Sequence, residues 1–225
     1  AQSKALIGKS VELARKAREA YLAENPQAGT LLVAGSVGPY GAYLADGSEY
    51  RGDYQRSAEA FQAFHRPRVE ALLDAGADLL ACETLPNFSE IEALAELLTA
   101  YPRARAWFSF TLRDSEHLSD GTPLRDVVAL LADYPQVVAL GINCIALENT
   151  TAALQHLHSL TALPLVVYPN SGEQYDAVSK TWHHHGEHCA HLADYLPQWQ
   201  AAGARLIGGC CRTTPKDIAA LKARS

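Results

Sequence analysis

The sequence contains no methionine and no apolar run of membrane length. It also lacks a secretory signal, so we expect a cytoplasmic protein without membrane contact. The formal net charge is −6 and basic residues are not clustered, which argues against nucleic acid as a partner. No glycine-rich loop of the dinucleotide-binding or P-loop type occurs, so neither a nicotinamide cofactor nor a bound nucleotide is indicated.

The cysteines are few, odd in number and irregularly spaced, unlike those of small disulfide-linked scaffolds. The five are Cys82, Cys144, Cys189, Cys210 and Cys211. In a reducing compartment such thiols are more often buried, catalytic or metal-bound than paired. Hydrophobic residues make up 48% of the 225 positions, enough for a substantial core. Residues 1–225 are therefore predicted to form one domain.

Apolar runs suited to buried parallel strands alternate with helical patterns along the chain. Strands are predicted at residues 31–36, 79–83, 106–111, 137–143, 165–168 and 205–209. Helices are predicted at residues 3–22, 57–75, 89–100, 123–132, 149–159 and 191–202, and from 215 onwards. This alternation indicates an α/β fold with right-handed crossovers.

Chemically distinctive residues follow the predicted strands and do not precede them. Residues at the ends of several strands build the active site of a (β/α)₈ TIM-type barrel, whereas a doubly wound sheet gathers its ligands at one switch point. Such residues follow five of the six strands, which favours the barrel. Because a barrel needs eight strands, we expect this chain to lack the first two βα units. A shorter open α/β sheet is the alternative.

Two of the cysteines are adjacent, at positions 210 and 211. Neighbouring side chains of a strand point in opposite directions, but Gly208 and Gly209 permit a bend that lets both thiols converge. Cys144 also follows an apolar strand. Three thiols at strand ends predict a zinc site with one coordination position left open. Packing as a small buried hydrophobe is the alternative for each cysteine, and it is favoured for Cys82.

The strand-end motifs resemble those of the homocysteine S-methyltransferase family, most closely its bacterial S-methylmethionine-dependent members. The motifs are GSVGPYGA at 35–42, YRG at 50–52, ETLP at 83–86, GINC at 141–144, YPNSGE at 168–173 and GGCCRTTP at 208–215. The resemblance implies a zinc-dependent barrel that methylates the thiol of L-homocysteine. It also implies zinc ligation by Cys144, Cys210 and Cys211, and an acidic residue, Glu83, that holds the substrate's amino group.

The implied chemistry agrees with the properties of thiols. Zinc deprotonates a coordinated thiol, and three protein thiolates leave the fourth tetrahedral position for the substrate sulfur. The methyl donor should be a sulfonium such as S-methylmethionine, with S-adenosylmethionine as an alternative. We expect Asn143 and Asn170 to contact substrate, although Asn143 could instead satisfy loop backbone groups. The competing hypothesis is a truncated, non-catalytic barrel that binds zinc or a partner.

Two further segments each allow two interpretations. The aromatic-rich segment 39–56 is long for a βα connection, and it is expected either to hold a sulfonium by cation–π contact or to pack on the barrel rim. The histidine-rich run from His183 to His188 resembles a second metal site. It has no rigid ligand spacing, so a solvated loop is predicted instead.

Overall fold

A computed structural model describes residues 2–171, 173–176, 179–184 and 191–224, and within them six parallel strands form one sheet. The strands of the described residues are β1 (Ala34–Val37), β2 (Leu79–Leu85), β3 (Ala106–Phe110), β4 (Val137–Asn143), β5 (Leu165–Tyr168), β6 (Glu173–Asp176), β7 (Thr181–His184) and β8 (Ala204–Ile207). The sheet order is β1-β2-β3-β4-β5-β8, whereas β6 and β7 form a separate antiparallel pair. The α/β prediction is confirmed.

Helices connect the strands of the sheet. They are α1 (Gln2–Glu24), α2 (Tyr40–Leu44), α3 (Ala58–Asp74), α4 (Phe88–Thr99), α5 (Leu124–Leu131), α6 (Leu147–Leu160), α7 (Leu192–Ala201) and α8 (Pro215–Arg224). Polar side chains fix where two of them begin: Ser57 Oγ accepts from Ala60 N, and Asn87 Oδ1 accepts from Glu90 N. None of the described helices is long and apolar enough to cross a membrane.

The sheet is buried by large apolar side chains. Phe108 and Phe110 of β3 are fully buried, as is Trp199 of α7. Apolar residues occupy consecutive positions of the central strands, as expected for parallel strands covered on both faces. This covering leaves the carboxyl ends of the strands as the place where polar side chains collect.

Three local predictions differ from the structure. The first strand begins at Ala34, three residues later than predicted, because Leu31 and Leu32 lie exposed before the sheet. Segment 39–56 is not a plain loop, since it contains α2 and a 3₁₀ helix at Ser48–Tyr50. The loop prediction is also wrong at His183 and His184, which belong to β7. The rest of the histidine run lies outside the described residues.

β4 and β5 approach each other closely at Gly141, which is paired with Val166. A Cβ atom added to Gly141 would lie 1.9 Å from the carbonyl oxygen of Val166. Contacts below 3.0 Å force the backbone to move. Only glycine fits this position, and β4 is the strand that leads to Cys144.

Replacing Gly141 with alanine is expected to lower the free energy of unfolding by about 2–3 kcal/mol, because the new methyl group would push β4 and β5 apart. Urea denaturation followed by circular dichroism measures the loss. Gly29→Ala is the matched control, since nothing lies within 4 Å of its added Cβ. Equal unfolding midpoints for the two variants would contradict the close approach.

Candidate metal and substrate site

Cys144, Cys210 and Cys211 meet at the carboxyl end of the sheet. The Sγ atom of Cys144 lies 3.1 Å from that of Cys210 and 3.4 Å from that of Cys211, and the last two are 4.0 Å apart. Cys144 follows β4 and the cysteine pair follows β8, with β5 between them. Strands two places apart lie about 10 Å from each other, so both turns must bend over the end of β5.

The backbone after β5 holds the two turns together. Cys144 N donates to the Tyr168 carbonyl at 3.2 Å, and Cys210 N donates to the Pro169 carbonyl at 2.8 Å. Further along the same segment, Ser171 N donates to the Cys211 carbonyl at 3.1 Å. Residues 168–171 therefore act as a common support for both cysteine-bearing turns.

Unusual backbone conformations aim the thiols inward. Cys144 has a φ of 54°, in the left-handed region that residues other than glycine rarely adopt. The turn after β8 is tight, because a Cβ on Gly209 would lie 2.6 Å from the side chain of Thr213. The predicted glycine-permitted bend is therefore present, and the cysteine pair lies in the turn beyond the strand rather than in the strand itself.

The three sulfur atoms lie close enough together to share one metal ion. A metal–sulfur distance of about 2.3 Å separates tetrahedral ligands by about 3.8 Å. The distance of 4.0 Å is near this value, and those of 3.1 and 3.4 Å are shorter. Hydrogen bonds with Cys144 and Cys210 lower the pKa of Cys211, whereas hydrogen bonds with Cys210 and Cys211 raise the pKa of Cys144. Among the described residues, these are the three cysteines placed to bind a metal ion together.

Asn143 precedes the first of these cysteines and is completely buried. Its Oδ1 accepts from Thr84 N and Ser109 Oγ, both at 2.8 Å. Its Nδ2 donates to Thr84 Oγ1 at 2.8 Å and points to the sulfur of Cys210 at 3.9 Å. The protein thus uses the amide fully, which favours the structural alternative to substrate contact for this residue.

Glu83 lies in β2 at the same end of the sheet. Ser36 Oγ donates to its Oε1 at 2.5 Å. Burial raises the pKa of the carboxyl group, hydrogen bonds from Ser36 and Tyr168 act against this rise, and the charge of Cys210 adds to it. The carboxylate is therefore held near the thiols at an energetic cost that a bound cation would offset.

Asn170 is also enclosed, with 7% of its surface exposed. Its backbone N donates to the Ile145 carbonyl at 3.1 Å. Its side-chain Oδ1 is buried and has no hydrogen-bond partner among the described residues. This amide oxygen is available to a ligand, unlike the amide of Asn143.

Trp107 and Ser109 belong to the site although they were not predicted from the sequence, and Tyr50 of the motif at 50–52 also reaches it. Trp107 Nε1 donates to the hydroxyl of Tyr168 at 2.8 Å, and Ser109 Oγ also contacts that hydroxyl. Tyr50 places its hydroxyl 3.6 Å from the sulfur of Cys144. A serine inside the apolar strand Ala106–Phe110 was the one available signal, because a buried hydroxyl requires a partner.

A buried carboxylate anchors the segment that carries Tyr50. Glu90 of α4 is fully buried and accepts from Tyr40 N at 2.6 Å, from the Tyr54 hydroxyl and from His65 Nε2 at 2.7 Å. The first two donors belong to segment 39–56, and the histidine belongs to α3. The segment is thus fixed to the helices beside the site.

The fold and the site together define a class: an α/β protein with a parallel sheet and a three-thiol metal site at its carboxyl edge. Comparison with known proteins gives the family. A family profile described as "Homocysteine S-methyltransferase" matches residues 1–225. The chain belongs to the homocysteine S-methyltransferase family, whose enzymes transfer a methyl group to homocysteine.

Relatives from two bacteria illustrate the match. The chain is 96% identical to homocysteine S-methyltransferase of Escherichia coli, over the whole chain and 73% of that protein. It is 48% identical to homocysteine S-methyltransferase YbgG of Bacillus subtilis, over 97% of the chain and 70% of the relative. The metallated crystal form of the Escherichia coli enzyme MmuM superposes with a TM-score of 0.91 at 88% identity, covering all of this chain and 72% of that one.

The ionisation of Glu83 should make the folded protein less stable as the pH rises. Its pKa is raised on folding, so the folded state binds the proton more tightly, and stability is lost from pH 4.5 up to the raised pKa. Glu83→Gln removes this loss of stability. The difference in free energy of unfolding between the variant and wild type should therefore grow, in favour of the variant, as the pH rises. Denaturation of the metal-free protein at several pH values measures it. Glu92→Gln, exposed on α4, should keep the wild-type pH dependence.

Proposed function

We propose that the protein transfers a methyl group from S-methylmethionine to the thiol of L-homocysteine, using zinc held by Cys144, Cys210 and Cys211. S-adenosylmethionine is proposed as a second donor. The observation that carries the proposal is the convergence of three sulfur atoms within 4.0 Å at the carboxyl end of the sheet. Three thiolates around a tetrahedral ion leave one position for a fourth sulfur.

The donor set fits zinc because its ligands are three soft sulfur atoms close enough together to share one ion. When bound, the ion would hold the homocysteine thiol as a thiolate, which is the nucleophilic form. The protein's part is to position the two reactants. The acceptor sulfur attacks the methyl carbon of the sulfonium, the bond from that carbon to the donor sulfur breaks, and both products are methionine. The thiol proton leaves before the attack.

Glu83 supplies the charge that would hold the ammonium group of homocysteine. Ser36 and Tyr168 orient its carboxylate by hydrogen bonds. Burial raises the carboxyl pKa, and an ammonium partner would favour the ionised form by a charge-assisted hydrogen bond. A carboxylate and three thiols at the same end of the sheet match an amino acid with a terminal sulfur.

The described sheet is open, and this is consistent with its being part of a larger barrel. β1 and β8 are the outer strands of the described sheet, and the relatives are longer than this chain. We propose that the sheet is six strands of a (β/α)₈ barrel whose other two βα units would join these edges. A single homocysteine-binding domain over residues 1–225 and a cytoplasmic location also remain predictions. A reducing compartment would keep thiols 3.1 Å apart from oxidising.

The non-catalytic alternative is less well supported. The thiols, Glu83 and the buried network between them are all present, and the family consists of enzymes. The deciding experiment measures bound zinc together with methionine formation from homocysteine and S-methylmethionine. Zinc-dependent turnover supports the proposal. Stoichiometric zinc without any turnover would support the alternative.

Cys210→Ala is expected to reduce bound zinc from about one equivalent to less than a tenth, because two thiolates cannot complete the site. Elemental analysis after dialysis against a weak chelator measures it. Cys82→Ala is the control, since this thiol is buried in the core away from the cluster and the variant should keep its metal. Full retention of zinc by Cys210→Ala would contradict the ligand assignment.

A further inference from the structure

Buried polar atoms without partners concentrate around the three-thiol cluster. In the described part of the chain, five buried side-chain atoms lack a hydrogen-bond partner. Three of them, Glu49 Oε2, Asn170 Oδ1 and Ser171 Oγ, belong to segments that contact the cysteine turns. Native proteins leave few such atoms, because each costs free energy unless a ligand or water pairs with it.

The position of Glu49 is fixed by its backbone. Its carbonyl oxygen accepts from Thr111 Oγ1 at 2.9 Å, and Thr111 directly follows β3 at the carboxyl end of the sheet. Its backbone N is packed against Gly41, where an added Cβ would lie 2.7 Å away. Glu49 therefore lies on the same side of the sheet as the cysteines, immediately before the residue whose hydroxyl contacts Cys144.

Glu49 lies in the 3₁₀ helix Ser48–Tyr50, whose last residue places its hydroxyl 3.6 Å from the sulfur of Cys144. The Oε2 atom of Glu49 is buried and has no hydrogen-bond partner among the described residues. A carboxylate oxygen that is buried without a donor beside this cluster is poorly placed for stability alone. It is well placed to accept a hydrogen bond from a cationic group of a ligand.

Glu49 and Glu83 are separate carboxylates. Glu83 lies in β2 and accepts from Ser36 Oγ, whereas Glu49 lies in segment 39–56 and its backbone carbonyl accepts from Thr111. The proposed reaction uses two α-amino acids, each with its own ammonium group. Two separate carboxylates at the same end of the sheet as the thiol cluster match that requirement.

We propose that Glu49 binds the ammonium group of the methyl donor, with the unpaired Asn170 Oδ1 and Ser171 Oγ, next to the cysteine turns, as further polar atoms for that ligand. This inference rests on the proposed function. The methyl donor carries two cationic groups, an ammonium and a sulfonium. The ammonium is the better partner for Glu49, because the sulfonium loses its charge during transfer. A carboxylate against the sulfonium would stabilise the ground state more than the transition state.

The test compares Glu49→Gln with wild type. We expect the KM for S-methylmethionine to rise about tenfold or more, while the KM for homocysteine and the zinc content stay unchanged, since one charge-assisted hydrogen bond is lost. Glu49→Asp, which keeps the charge, should lie between the two. Glu92→Gln is the surface control and should match wild type. Glu83→Gln should show the opposite pattern, with the KM raised for homocysteine.

A methyl donor without an amino group shows which of the two cationic groups of S-methylmethionine contacts Glu49. Dimethylsulfoniopropionate carries the sulfonium but no ammonium, so its binding, measured by calorimetry with the zinc-loaded protein, should be the same for wild type and Glu49→Gln. A loss of binding for both donors would assign the residue to the sulfonium and overturn the proposal. An unchanged KM for S-methylmethionine would also overturn it, since the carboxylate oxygen would then be paired with water only.

Equilibrium binding keeps this test separate from the proposed reaction. If wild type forms no methionine, the proposed function fails. Calorimetry with S-methylmethionine still decides the inference in that case: weaker binding by Glu49→Gln supports the donor subsite, and equal or absent binding contradicts it. A loss of zinc from Glu49→Gln would instead show that the residue supports the metal cluster, and would contradict the assignment.

Discussion

The site depends on the hydrogen bonds by which the backbone after β5 joins two separate turns. Cys144 N donates to the Tyr168 carbonyl, and Cys210 N donates to the Pro169 carbonyl. Without these bonds the turns after β4 and β8 would remain two strand positions apart, about 10 Å, and the thiols could not share an ion. A short piece of ordinary backbone therefore determines the spacing of the sulfur atoms.

A network of polar side chains next to the thiols also supports the site. Asn143 links strand β2 to strand β3 through Thr84 and Ser109. Ser109 also contacts Tyr168, whose hydroxyl is hydrogen-bonded to Glu83. The network is buried, so each member must be satisfied or the site would be destabilised. It ties the carboxylate for the amino group to the cysteines in one rigid arrangement, which is the preorganisation that positioning chemistry requires.

Much of the fold was predictable, because parallel strands covered on both faces have long apolar runs and strong helix signals between them. All six strands of the sheet were located, and the largest error was at Ala34. The cysteines were predicted as a group from their positions after strands. Tyr50 was noted only as part of a motif, and Glu49 was given no role of its own. Their segment has no periodic pattern, and its short helices are fixed by distant contacts such as those of Glu90.

The sequence by itself determined the α/β alternation, the thiols available for a metal and the family, since each depends on residue type and order along the chain. Only the tertiary structure decided which polar groups are free. Asn143 and Asn170 look alike in the sequence, yet one amide is fully bonded within the protein and the other has an unpaired oxygen. The reason is physical: a hydrogen-bond partner is set by distance and direction in space, and residues far apart in the chain supply it.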